Sequence, residues 1–124
     1  MDRANGFVAA LWDDLYTVNS GSGVYSAVTG TAPHRTYYLE WRAQYFPGSG
    51  SANFELRLYE GQSRFDVIYG TVSNSNTSAT AGVQRDNTFV TQYFCNGSGG
   101  QATGGRWYTL EGCPGQITLY ARGY

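Results

Sequence analysis

Along most of this chain apolar and polar side chains alternate one for one, and the alternation breaks at Gly, Ser, Asn or Pro. A period of two is the strand pattern; helical spacing is nearly absent, and only Ala4–Tyr16 could carry a helical turn. The alternating runs predict strands near Gly6–Leu11, Gly23–Val28, Thr36–Tyr45, Ala52–Tyr59, Arg64–Gly70, Thr80–Gln84, Thr91–Cys95, Arg106–Leu110 and Gln116–Ala121. Loops fall at Val18–Ser22, Thr29–His34, Phe46–Ser51, Gly61–Gln62, Ser73–Ser78, Asp86–Asn87 and Asn96–Gly105. Short strands at this regular spacing predict an all-β chain, an antiparallel two-layer β-sandwich of jelly-roll-like kind. No repeat or linker divides the sequence, so residues 1–124 read as one domain, part of a longer secreted protein.

The stretch RTYYLEWRAQY, Arg35 to Tyr45, sets the register. One face carries Tyr37, Leu39, Trp41 and Ala43; the other carries Tyr38, Glu40, Arg42 and Gln44. The next run alternates too, with Phe54, Leu56 and Leu58 against Glu55, Arg57 and Tyr59. A hairpin at Pro47–Gly50 that sets Trp41 opposite Leu56 keeps apolar residues on one face. It also sets Arg42 opposite Glu55, Glu40 opposite Arg57 and Tyr38 opposite Tyr59. A slip of one residue would send charges into the core. Folding back at Gly61–Gln62 pairs Leu58 with Phe65, Leu56 with Val67 and Arg57 with Asp66. Glu40, Arg57 and Asp66 then form a charge row on the outer face, read mainly as a stabilising ladder. Tyr38 and Tyr59 on that face keep a binding role open.

Composition narrows the class. Only 14% of the 124 residues are charged, and all eight basic residues are Arg. A low-charge chain rich in Tyr, Gly, Ser and Thr reads as a secreted β protein, extracellular or at the cell surface. The net charge is −1 and the Arg are scattered, so no basic stripe offers itself to nucleic acid. No apolar run reaches membrane-spanning length, so membrane insertion is not expected. FVAALW, Phe7 to Trp12, is too short for the apolar core of a signal peptide, which would lie outside this sequence. Cys95 and Cys113 suggest one disulfide. It would close a Gly-rich loop of about 18 residues, worth roughly 3 kcal/mol on chain-entropy grounds.

Residues that could carry chemistry are few. His34 is the only histidine, which excludes a multi-His metal site, and no G-x-S-x-G elbow accompanies it. Asp13 and Asp14 could approach Ca²⁺, but neighbours on a strand point opposite ways. The expected arrangement is one Asp bonding backbone amides in a turn and the other meeting an Arg. No catalytic residue, cofactor or metal is expected, and the chain is read as not an enzyme. Asn76 and Asn96 sit in acceptor-like sequons, in keeping with surface loops. The Gly/Ser-rich loop Asn96–Gly105 leads into Arg106, Trp107 and Tyr108, types that dominate binding hot spots. These three are the first candidates for binding, with Tyr38 and Tyr59 next. The plainer alternative is that Trp107 fills the core.

The order of motifs resembles a known family. FVAALWDDLYT, GVYSAVTG, APHRTYYLEW, ANFELRLYEGQSRFDVIYG and SATAGVQ follow one another as in the nidogen-like domain and related β domains of secreted bacterial proteins. The resemblance covers Phe7 to Gln84. It implies an extracellular, non-catalytic adhesion or recognition module, whose partner is a cell-surface or matrix protein or a glycan. A carbohydrate-binding module, or a structural cap on a fibre or secreted enzyme, is the alternative; a fibre cap would be a homo-oligomer. Relatives usually carry strands before the Trp-Asp segment, so the resemblance implies a fragment, or strands supplied by a neighbouring domain or subunit. The last third, with both cysteines, follows the relatives poorly.

Overall fold

A computed structural model describes residues 6–111 and 118–123. It is an all-β, two-layer sandwich of antiparallel strands, as the alternation predicts. The strands are β1 (Phe7–Trp12), β2 (Leu15–Tyr16), β3 (Gly23–Thr29), β4 (Thr36–Tyr45), β5 (Ser49–Tyr59) and β6 (Arg64–Val72). They continue with β7 (Thr80–Asp86), β8 (Phe89–Cys95), β9 (Ser98–Gly99), β10 (Gly104–Glu111) and β11 (Thr118–Gly123). The two-residue strands β2 and β9 are too short to leave an alternation in the sequence. The smaller sheet runs β1-β7-β8-β9. The larger runs β11-β10-β6-β5-β4, and both β2 and β3 pair with the far edge of β4.

The β5–β6 hairpin has the expected register: Leu56 opposite Val67, Arg57 opposite Asp66, Leu58 opposite Phe65. Its turn closes with Gln62 N donating to Tyr59 O, and Gly61 takes the left-handed φ of +73° that a side chain would resist. The β4–β5 hairpin is displaced by two residues from expectation. Trp41 meets Phe54 rather than Leu56, Glu40 meets Glu55, and Tyr38 meets Arg57. The chain turns back sooner than Pro47–Gly50 suggested: Gly48 N bonds Tyr45 O, β5 starts at Ser49, and an irregularity separates the Ala43 and Tyr45 pairings. A shift of two leaves every side chain on its expected face, which is why the alternation survives.

The core lies between the small sheet and the β5–β6–β10 part of the large one. Ala81, Val83 and Phe94 from above meet Phe54, Val67, Tyr69 and Tyr108 from below, all buried. Tyr69 donates its hydroxyl to Ala10 O at 2.7 Å, tying the layers. Gly82 sits where a Cβ would come within 2.3 Å of Thr91 O, at a bulge between β7 and β8. The small sheet is narrower than the large one. β1 lies over β5, and β8 over β11, so β3 and the first part of β4 project beyond the covered part, while Ala43 and Tyr45 at the end of β4 join the core.

Cys95 is half-buried on β8, with Thr80 Oγ1 3.4 Å from its Sγ. Cys113 lies outside the described residues, and so does the bond expected between them. Gln116, where the last strand was expected to begin, lies outside them as well.

Candidate functional site

The outer face of the large sheet gathers most of the aromatic and arginine side chains that the alternation sends outward. Register fixes one row across four strands: Tyr38 opposite Arg57, Arg57 opposite Asp66, Asp66 opposite Trp107. Tyr59 and Arg64 flank this row, and Tyr25 on β3 stands opposite Glu40. The expected pairing of Glu40 with Arg57 does not form. The displaced register sets Glu40 against Glu55, and each carboxylate instead takes the Arg two positions along its own strand. Arg42 holds Glu40 at 2.8 Å, Arg57 holds Glu55, and Arg64 holds Asp66 at 2.7 Å. Residues two apart on a strand share a face, so these pairs need no particular register. The Arg42 guanidinium holds the Glu40 carboxyl below the usual carboxylate range.

The guanidinium groups also lie over rings. Arg42 sits 4.7 Å from the centroid of Tyr25, Arg57 5.5 Å from Tyr38, and Arg64 5.8 Å from Tyr59 and 5.3 Å from Trp107. Each cation thus serves a carboxylate and a π face together. Asp66 is the anchor, with its side chain only 1% exposed. It accepts from Tyr59 Oη at 2.7 Å and from both Nε and Nη2 of Arg64. Burial, and then this bond to Asp66, raises the Tyr59 hydroxyl above the ordinary tyrosine range, so Tyr59 stays a donor at neutral pH.

Of the five candidate binding residues, the sheet therefore brings Tyr38, Tyr59 and Trp107 onto one face. Arg106 and Tyr108 go to the opposite face. Tyr108 is 1% exposed and stacks on Phe65 at 4.8 Å, and burial pushes its hydroxyl up to about 12. Arg106 reaches between the layers, its guanidinium 4.7 Å from the centroid of Tyr93. The sequence reading put Tyr108 at the surface and, in its plainer form, Trp107 in the core. The register of β10 on β6 reverses both, because Tyr108 falls opposite the inward Phe65 and Trp107 opposite the outward Asp66. The signal was the alternation of β6, which commits Phe65, Val67 and Tyr69 inward. Arg42, Arg57, Arg64 and Tyr25 were not named as binding residues, although the same alternation sends them outward.

The other polar groups are placed as follows. Asp13 Oδ1 accepts from Asp14 N at 2.8 Å and Oδ2 from Ser78 Oγ at 2.6 Å. Neither Asp13 nor Asp14 has the expected arginine partner among the described residues. Asn76 lies in the loop between β6 and β7, but its side chain is buried and donates Nδ2 to Gly100 O at 2.6 Å. Asn96 is exposed at the β8–β9 turn. His34 lies in an exposed loop, its backbone N bonded to Thr31 O.

A family model described as "NIDO related" matches residues 1–107, most of the chain. The chain belongs to this nidogen-related family, whose domains are of extracellular type. No curated protein and no solved structure matches it.

Proposed function

We propose that this domain is a non-catalytic extracellular recognition module that engages a protein surface through the outer face of its large sheet. The observation that carries the reading is the mosaic of Tyr25, Tyr38, Tyr59 and Trp107 interleaved with Arg42, Arg57 and Arg64 across adjacent strands. Tyr, Trp and Arg are the types enriched at binding hot spots, and a sheet holds them rigidly at low entropic cost. The ion pairs pre-position each guanidinium, so a partner meets an ordered surface.

Adhesion is the use that fits such a surface on an extracellular domain. Carbohydrate binding is the rival. Sugars stack on open aromatic faces, whereas here the rings already share a face with a guanidinium, which favours a protein partner. Labelled domain applied to cell surfaces and extracellular matrix tests the choice, with a glycan array run beside it. Tyr38→Ala with Arg57→Ala should lower binding to cells or matrix while the melting temperature holds. Undiminished binding by that variant rejects the face. Specific glycan retention by the parent, lost in the variant, would replace the protein partner with a sugar.

A further inference from the structure

The inner face of the large sheet is apolar well beyond the point where the small sheet stops. Between the edge of β1 and this bare floor runs an apolar groove of about 280 Å³, lined by β1 itself, Leu15, Trp41, Phe54 and Leu56. Among the described residues β1 pairs only with β7, so its other edge presents unpaired backbone N–H and C=O groups to the groove. β1 reads Phe-Val-Ala-Ala-Leu-Trp, with none of the charges, Pro or Gly that usually blunt an open edge. Val8 and Trp12 stand 38% and 53% exposed on it.

Charge marks one end of the groove. The side chains of Glu40, Glu55, Glu60, Asp66 and Asp86 each hold an Arg. Among the described residues Asp13 and Asp14 hold none, and they line a neighbouring hollow that shares Trp12 with the groove.

We propose that the groove takes one extended polypeptide segment of a partner chain. The segment adds to the open edge of β1, turns apolar side chains on alternate residues toward Trp41 and Leu56, and places a basic residue beside Asp13 and Asp14. The backbone edge demands an extended chain, the floor demands the alternation, and two carboxylates with no arginine partner among the described residues favour a cation. A second copy does not fit. Antiparallel pairing of two β1 edges about a two-fold axis puts both large sheets on the same side, and their projecting β3 and β4 strands would collide. A lone strand meets no such obstacle.

Panning a displayed random-peptide library on the folded domain tests this. Recovered peptides should converge on an apolar-polar alternation with Lys or Arg at one end. A synthetic peptide of the recovered sequence should slow hydrogen exchange at the amides of β1. Leu56→Lys should weaken the peptide by about tenfold or more, since it sets an unpaired charge on the apolar floor. Asp14→Lys alters only an exposed side chain, keeps the fold, and should switch the selected end residue from basic to acidic. Arg57→Ala on the far face should change nothing, which separates this groove from the recognition face. The proposal fails if no peptide is recovered, if recovered peptides lack the alternation, or if β1 exchange is unmoved. It fails equally if Asp14→Lys selects the same peptides, or if sedimentation finds a dimer held through β1.

Discussion

The two ends of the large sheet's inner face are built from the same kind of sequence and meet opposite fates. One row crosses Val28, Tyr37, Leu58, Phe65 and Tyr108. Along it exposure is 57% at Val28, 39% at Tyr37 and 41% at Leu58, and it drops to 1% at Tyr108. Nothing in the alternation of β3, β4 or β5 distinguishes these positions from those of β6 and β10. What differs is the layer above: β7 and β8 cover one end, and nothing among the described residues covers the other. Alternation assigns a face. Whether that face becomes core depends on the partner sheet.

The largest effects should separate the two ends. Phe94→Ala and Tyr108→Ala remove fully buried aromatics and should each cost about 3–5 kcal/mol. Leu58→Ala, at the bare end, should cost under about 1 kcal/mol, because its side chain loses little burial. Urea denaturation of the three variants reads the contrast directly. Equal costs at both ends would mean that something covers β3 and β4 in solution.

A second contrast divides the outer face in the same way. Asp66→Ala leaves the Arg64 guanidinium and Tyr59 hydroxyl without their buried acceptor and should cost about 3 kcal/mol. Glu40→Ala breaks a pair whose side chains are 36% and 53% exposed and should cost under about 1 kcal/mol. Adding Arg64→Ala to Asp66→Ala sharpens the test. A double-mutant cycle should return coupling well above that of Glu40 with Arg42.

How far the sequence could be read follows from these contrasts. The β5–β6 register was legible because two apolar pairs, a charge pair and a two-residue turn agree on it. The β4–β5 register was misplaced by two because a shift of two conserves faces, and the irregularity near Tyr45 leaves no mark in the pattern. Trp107 and Tyr108 were legible as a strand but not as faces. With Trp and Tyr adjacent, either could point inward, and only pairing with Phe65 decides. The along-strand Arg pairs follow from spacing alone and could have been read. The groove could not, since it is made by the unequal widths of two sheets.

The smallest expected effect concerns acid, and it belongs to the bare end. Arg35 at the start of β4 holds Glu60 just past β5, through Nε, Nη2 and the backbone N. These bonds bring the Glu60 carboxyl down to about 2. A carboxylate depressed on folding adds stability that is fully present above its unfolded value, near 4.5, and is lost as the pH falls toward 2. Arg35 is exposed, Glu60 is half-buried at the surface, and salt screens the pair, so the effect on global stability should be slight. Its place in the molecule is the informative part. Acid should loosen the β4–β5 junction beside Tyr37 and Leu58, which the small sheet does not brace, before it touches the core. Hydrogen exchange at pH 5 and pH 3 should therefore differ more at Tyr37 and Leu58 than at Val67 and Phe94. Glu60→Gln should remove most of that difference by leaving no carboxylate to protonate. If the acid response persists in Glu60→Gln, or appears first around Phe94, the bare end is not the weaker of the two.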